Sequence, residues 1–329
     1  MRTRGTRRSG HPGWNAPGNL CHPLKIGLLA GVVALVSLLG TEIQAQLPSV
    51  PGASYLGTEI CKGCHADQAA KLEHTLHGKL LGTDVARTDL QRRGCEACHG
   101  PGSKHVEDPA NPANNIRFGP KSIRSATDQN AVCLQCHQRG KRLFWQGSQH
   151  EGRDVTCTTC HSIKSPKSQR AQLKAPDQMT LCKQCHAVFV AQQMNWSHMP
   201  VREGKLQCTS CHNPHGTITE KLIVEDSVNE LCYRCHLDKR GPFLWEHPPA
   251  RESCLNCHKP HGSNNIRLLK VREPRLCQQC HNEGGHPRTA FAGGTTDPGQ
   301  DRRFLGRSCA YCHTMIHGSN HPRGFMFQR

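Results

Sequence analysis

Twenty of the 21 cysteines in this 329-residue chain fall in one pattern, Cys-x-x-Cys-His, which occurs ten times. In chain order, motifs 1 to 5 are Cys61/Cys64/His65, Cys95/Cys98/His99, Cys133/Cys136/His137, Cys157/Cys160/His161 and Cys182/Cys185/His186. Motifs 6 to 10 are Cys208/Cys211/His212, Cys232/Cys235/His236, Cys254/Cys257/His258, Cys277/Cys280/His281 and Cys309/Cys312/His313. This is the attachment signature of c-type haem. The two thiols form thioethers with the two vinyl groups of the porphyrin, and the histidine on the same turn places its imidazole under the iron. Zinc ribbons need two cysteine pairs per metal and no invariable histidine. A thioredoxin-like site uses one pair within a βαβ pattern, and a disulfide scaffold would not place a histidine after every second cysteine. Ten copies fit none of these and imply ten covalently bound haem c groups.

Each iron also needs a sixth ligand or an open position, and that choice separates electron transfer from catalysis. Beyond residue 45, eleven histidines remain outside the motifs: His74, His77, His105, His150, His198, His215, His247, His261, His286, His317 and His321. Ten haems can therefore all be bis-His, with one histidine to spare. His77 sits in Thr-Leu-His-Gly, a setting like His317-Gly318, so His74 is read as the bystander and the other ten as distal candidates. Methionines Met179, Met194, Met199, Met315 and Met326 do not recur in place. Because Met/His ligation raises the potential, an all-His set implies a low-potential chain. No residue is read as catalytic. The one departure is Lys164, which stands where later repeats have His215 and His261, so motif 4 is the expected exception.

The elements that must hold these groups are sparse. Hydrophobic residues make up 35% and aromatics 5%, too few for a large core, while Gly and Pro number 31 and 21. Short helices are expected at Gln68–Lys79, Asp177–Cys185 and Asp226–Cys235, joined by long coil. Two-haem repeats begin at Trp145, Trp196 and Trp245 and cover 145–195, 196–244 and 245–290, with the tryptophans expected on porphyrin edges. The fold class is therefore a multihaem cytochrome c: mostly coil, short α-helices, little or no β, and an elongated array of ten closely packed haems. At the N-terminus, Arg2, Arg4, Arg7, Arg8 and Lys25 precede an apolar run at 26–40 and a cleavage position after Ala45. Residues 1–45 thus read as a signal peptide and 46–329 as one decahaem domain. Export would oxidise stray thiols, so the cysteines need a dedicated fate.

These motifs resemble the MtrA/DmsE-type decahaem cytochromes, a family with PioA-like and MtoA-like members. The resemblance is carried by Gly94 through His105, Cys208 through Gly216, Gly241-Pro-Phe-Leu-Trp-Glu-His247-Pro-Pro and His317-Gly-Ser-Asn-His321-Pro. It implies a periplasmic cytochrome associated with the outer membrane and inserted into a β-barrel porin. Its haems would form a wire for extracellular electron transfer, exchanging electrons with an inner-membrane or periplasmic cytochrome and with an outer-surface multihaem cytochrome or reductase. Such a file could cross a hydrocarbon core of ~30 Å only inside a protein sheath, because coil leaves backbone groups unpaired in lipid.

Formal charge is +17 and falls to +13 without residues 1–45. That surplus is read as a partner for haem propionates rather than for nucleic acid. Two other readings share the haem features: a soluble periplasmic electron shuttle, and a multihaem reductase with one open iron. The direction of electron flow is not encoded in these motifs.

Overall fold

In the computed structural model, residues 49–198, 201, 203–281 and 307–327 are described. Residues 1–45, expected to be a signal peptide, and His286 lie outside the described residues. Each motif is built the same way. The histidine N–H donates to the carbonyl of the first cysteine, four residues back, at 2.8 to 3.1 Å in all ten motifs. One helical turn therefore presents both thiols and the imidazole together.

Little regular structure extends beyond these turns. Among the described residues the longest helix, Ala126–Leu134, has 9 residues. No strand occurs among the described residues, only isolated bridges. Buried hydrophobic residues are few: Val50, Ala86, Ile116, Val132, Trp145, Ala175 and Leu269. The protein is a coil-rich multihaem scaffold, as its composition predicts. The expected helices are present but shorter: Ala66–Glu73, Gln178–Cys182 and Val228–Tyr233. Thr75 ends the first, its N–H and hydroxyl both donating to the Leu72 carbonyl at 2.8 Å, a local bond that competes with helix continuation. The helices leading into motifs 3, 5 and 7 start on side-chain caps from Ser125, Asp177 and Ser227.

Side-chain amides, two of them buried, knit successive motifs together. Asn130 accepts from the Cys157 N–H at 2.7 Å and donates to the Val155 carbonyl. Asn229 accepts from the Cys254 N–H at 2.8 Å and donates to the Ala250 and Arg251 carbonyls. Gln178 plays the same part against Thr209 at 3.1 Å. Motifs 3 and 4, 5 and 6, and 7 and 8 are thus clamped, and the last two clamps cross from one sequence repeat into the next. A fourth anchor is the buried Glu96, whose carboxylate accepts from the N–H groups of Leu56, Gly57 and Gly102.

Longer-range docking uses the tryptophan segments. The Ser263 N–H donates to the Trp196 carbonyl at 2.8 Å, and Trp245 and Ser319 exchange two bonds at 2.9 Å. Trp145 is buried with its ring 6.4 Å from His215, whereas the Trp196 side chain is 64% exposed. Trp196 and Trp245 thus share a backbone bridge, while Trp145 makes only local backbone bonds, so the repeated position has no single environment.

Candidate functional site

Eight of the proximal imidazoles face a second imidazole. The pairs are His65/His105, His137/His77, His161/His215, His186/His150, His212/His261, His236/His198, His258/His317 and His281/His247. Their ring centroids lie 5.9 to 6.3 Å apart. Rings in contact would sit closer, with atoms at about 3.5–4.0 Å. A metal–imidazole bond of about 2 Å on each side, plus about 1 Å from nitrogen to ring centre, reproduces the observed spacing. Each pair can therefore hold one iron between its rings.

The pairing follows two rules. His161, His212 and His258 of motifs 4, 6 and 8 face the histidine that follows the motif two further on: His215, His261 and His317. His137, His186, His236 and His281 of motifs 3, 5, 7 and 9 face the histidine in the segment leading into the preceding motif: His77, His150, His198 and His247. His65 faces His105, which follows motif 2. His77 faces a proximal ring, and no such partner stands opposite His74 among the described residues. The Nδ1 of His321 accepts from the Arg323 N–H, and its carbonyl from the Trp245 indole.

The expected exception at motif 4 moves. His215 stands opposite His161, so Lys164 does not leave motif 4 short of a histidine. The repeat places its extra histidine against the motif two steps back, which spacing along the chain does not reveal.

Hydrogen bonds set the tautomers. The Nδ1 of His99, His161, His212, His258 and His313 donates to the carbonyls of Ile116, Ala171, Lys221, Arg267 and Met326, at 2.5 to 2.9 Å. His150 donates to the Pro214 carbonyl at 2.7 Å, and His77 to the Gln172 side chain at 2.8 Å. A donor at Nδ1 leaves the Nε2 lone pair free for metal. Burial holds His99, His215 and His317 down to about 4, so these rings are neutral at pH 7, as ligands must be.

The thiols also form a series. First cysteines hydrogen-bond in pairs: Cys61 with Cys95, Cys133 with Cys157, Cys182 with Cys208, Cys232 with Cys254 and Cys277 with Cys309. Second cysteines approach one another across the alternate junctions: Cys98 and Cys136, Cys160 and Cys185, Cys211 and Cys235, Cys257 and Cys280. Every motif is thus next to its sequence neighbours. The shared hydrogen bond pulls Cys208 and Cys254 down to about 7, and burial pushes Cys98 up to about 11. No disulfide uses these twenty thiols.

Exposure of the second cysteines alternates with the same step. Cys98, Cys160, Cys211 and Cys257 of the even motifs are partly covered, whereas Cys64, Cys136, Cys185, Cys235 and Cys280 of the odd motifs are exposed. Cys312 of motif 10 is exposed as well. Cys64 differs from the other exposed odd-motif thiols in its neighbours. It is exposed, and unlike the other odd-motif thiols it has no earlier motif whose second cysteine could meet it. Motif 1 is one end of the series, so Cys64 faces the surface, tied to the rest through Cys61 and its bond to Cys95.

Five of the imidazole pairs open onto one cavity of about 3150 Å³, several times a drug-sized pocket of ~300–1,000 Å³. Lys141, Arg153, Lys221, Arg234, Lys239, Arg267 and Arg307 line it against only two carboxylates, Glu225 and Glu273. Its lining includes thiols of motifs 5 to 10, Cys312 among them, and excludes Cys64. An apolar cavity with thiols, paired imidazoles and surplus cations fits haem, whose macrocycle is apolar and whose propionates are anionic. Among the described residues no helix is long and apolar enough to cross a membrane.

The comparison with known proteins agrees with this chemistry. The chain is 41% identical over 278 residues to the multihaem cytochrome MtrA of Shewanella baltica (strain OS185), covering 83% of this chain and 81% of the relative. The chain belongs to the MtrA family. Two family models also match: a doubled CXXCH motif at 198–241 and 247–286, and a cytochrome c-type NrfB-like model at 95–185. The cytochrome c-type protein NrfB of Haemophilus influenzae is 22% identical over 171 residues, 40% of this chain and 75% of that protein. A high-molecular-weight cytochrome c of Nitratidesulfovibrio vulgaris is 26% identical over 174 residues, and the chain spans only 30% of it. As an MtrA-family cytochrome c, the protein binds haem covalently through its CXXCH motifs and serves electron transport.

The sequence reading missed the clamp residues Asn130, Gln178 and Asn229, and the Gln172 tether to His77. A signal exists for the clamps: an amide recurs three or four residues before Cys133, Cys182 and Cys232.

Proposed function

We propose that this MtrA-family cytochrome carries ten haems, one per motif, and conducts electrons across the outer membrane inside a β-barrel porin. Motif-to-motif adjacency is the observation that carries the reading. Cysteine–cysteine interactions, alternately hydrogen bonds and longer-range charge interactions, link every consecutive pair from motif 1 to motif 10 among the described residues. Proteins that bind substrate at one haem need one accessible iron, whereas a conduit needs an unbroken file.

The residues do four things in this reading. The cysteine pairs fix each haem covalently, so little apolar core is needed. The imidazole pairs cap both axial positions, at His77, His105, His150, His198, His215, His247, His261 and His317 on the distal side, with His286 and His321 as the candidates for motif 10. The Nδ1 tethers hold the rings in the metal-binding tautomer. Basic residues offset propionate charge. When bound, the haems supply one-electron iron centres spaced along the file.

The porin belongs to the proposal because coil of this kind cannot face lipid. Expression with its genomic neighbours and detergent extraction of the membrane fraction tests it. Co-elution with a β-barrel protein in fixed stoichiometry is expected. Recovery of the holoprotein alone in the periplasmic extract would overturn the conduit in favour of a soluble shuttle.

A further inference from the structure

His99 of motif 2 faces no imidazole among the described residues; the ring against it is Phe118, edge-on at 5.5 Å. Its Nδ1 is held by the Ile116 carbonyl at 2.7 Å, as at the other even-numbered motifs, which leaves Nε2 for iron. The spatial rule of the even motifs says where its partner should come from. The residue three past His212 reaches back to motif 4, and the residue three past His258 reaches back to motif 6. The residue three past His161 is Lys164.

The backbone supports the equivalence. His161, His212 and His258 bridge to Leu173, Ile223 and Leu269. The next N–H in each donates across the turn: Ser162 to Gln172 at 2.9 Å, Asn213 to Leu222 at 2.8 Å and Lys259 to Leu268 at 2.7 Å. Left-handed residues occupy the same places in all three, Ala171/Gln172, Lys221/Leu222 and Arg267/Leu268. A loop closed in the same way, one residue longer after His161, therefore presents Lys164, His215 and His261.

We propose that Lys164 is the sixth ligand to the haem iron of motif 2, making a His99/Lys164 site among bis-His sites. Lys164 is in the right neighbourhood: its charge acts on both Cys98 and His99. It is half-buried, and the ion pairs of the described residues do not include it. The local sequence suits the longer side chain. After His215 and His261 a glycine packs against the carbonyls of Phe144 and Gln192, where a Cβ would lie 1.8 and 2.0 Å away. Motif 4 has Ser165 instead, which excludes that close approach, and lysine has the reach to span the remainder. On binding, the ammonium gives one proton to solvent and the amine lone pair forms the bond to iron.

The inference rests on the reading that every motif carries a haem, and the experiment separates the two. Haem content of the mature protein is measured first by pyridine haemochrome and intact mass. Fewer than ten haems would overturn that reading and this proposal with it. With ten present, near-infrared magnetic circular dichroism and low-temperature electron paramagnetic resonance of the ferric protein report axial ligands. One haem in ten is expected to show an imidazole/amine charge-transfer band. Lys164→Ala should convert one tenth of the iron to a high-spin or water-ligated form. Lys164→His should keep all ten low-spin and remove the amine band. Lys167→Ala, an exposed neighbour, should change neither spectrum. Ten bis-imidazole haems in the native protein, or unchanged ligation in Lys164→Ala, would overturn the lysine assignment and leave the ten-haem reading intact.

Discussion

Odd- and even-numbered motifs share five residues of pattern and one hydrogen bond, yet they are supported differently. At motifs 4 and 6 the histidine has ψ of 146° and 141° and sends the chain into an extended bridge. At motifs 1, 5 and 7 it has ψ of 41°, 42° and 54° and opens a new helical turn. The residues that follow explain part of this. Pro214 and Pro260 hold Asn213 and Lys259, the residues just past His212 and His258, in the extended region and so keep the chain out of a new helical turn, whereas Ala66 and Ala187 directly after the odd-motif histidines are good helix formers. In the even motifs the carbonyl across the bridge then captures the proximal Nδ1. In motifs 3 and 5 the captured ring is the distal one, His77 or His150. The ring planes differ accordingly. Even pairs are near-parallel, at 15°, 26° and 12°, while motifs 3, 5 and 7 are twisted at 60°, 68° and 87°. Motifs 1 and 9, at 12° and 22°, side with the even set. The attachment motif fixes where a haem is held, and the segment after it decides which imidazole is oriented and how.

The largest test of this contrast breaks the docking loop of an even motif. Gly262 has φ of +140° and a Cβ there would sit 2.0 Å from the Gln192 carbonyl oxygen. Gly262→Ala should therefore displace His261 from His212, cost about 3 kcal/mol of stability and leave one high-spin iron. Gly63, inside odd motif 1, has open space around its Cβ position. Gly63→Ala should leave both the denaturation midpoint and the spin state unchanged. Equal effects of the two substitutions would mean that the even sites do not depend on the loop.

The second test needs no mutation. Parallel imidazole planes split the two iron orbitals that bond to them, whereas perpendicular planes leave them nearly degenerate. Low-temperature electron paramagnetic resonance should therefore resolve two low-spin populations. Motifs 3, 5 and 7 would give strongly anisotropic low-field signals, and motifs 1, 4, 6, 8 and 9 ordinary rhombic ones. A single rhombic population would remove the angular difference between the two sets.

Much of this was readable from residues alone. The thiols, the proximal histidines and the shortage of core side chains follow from composition and spacing. The helix start expected at Asp177 coincides with its capping residue, and the one expected at Asp226 lies one residue before the cap Ser227. The pairing of rings did not follow, because His215 and His161 belong to different motifs brought together by docking, and no local pattern encodes that step. The same gap put the exception at motif 4. Lys164 was visible as a departure, but its target is set by the two-motif step. Nor does the motif say which thiols are covered: Cys64 and Cys98 occupy the same position in identical patterns, and only the neighbouring motif decides between them. The first helix came out short because Thr75 bonds the Leu72 carbonyl and Gly78 packs close against that same carbonyl, so the turn closes where the helix would have continued.

The smallest effect is the most specific. Gln172 accepts the Nδ1 proton of His77 through its side chain, whereas the other tethers at motifs 2, 4, 5, 6, 8 and 10 end on backbone carbonyls. It is therefore the one of these tethers that a substitution can remove. Such a hydrogen bond makes the imidazole a stronger electron donor to the metal and stabilises the oxidised iron. Gln172→Ala removes a neutral hydrogen bond of about 0.5–1 kcal/mol, which for a one-electron couple corresponds to an upward shift of roughly 20–40 mV. Spectroelectrochemical titration should show that shift in one of the strongly anisotropic signals, with the rhombic set unmoved. A shift in a rhombic signal instead would place Gln172 with the wrong class of site, and His77 with a different iron.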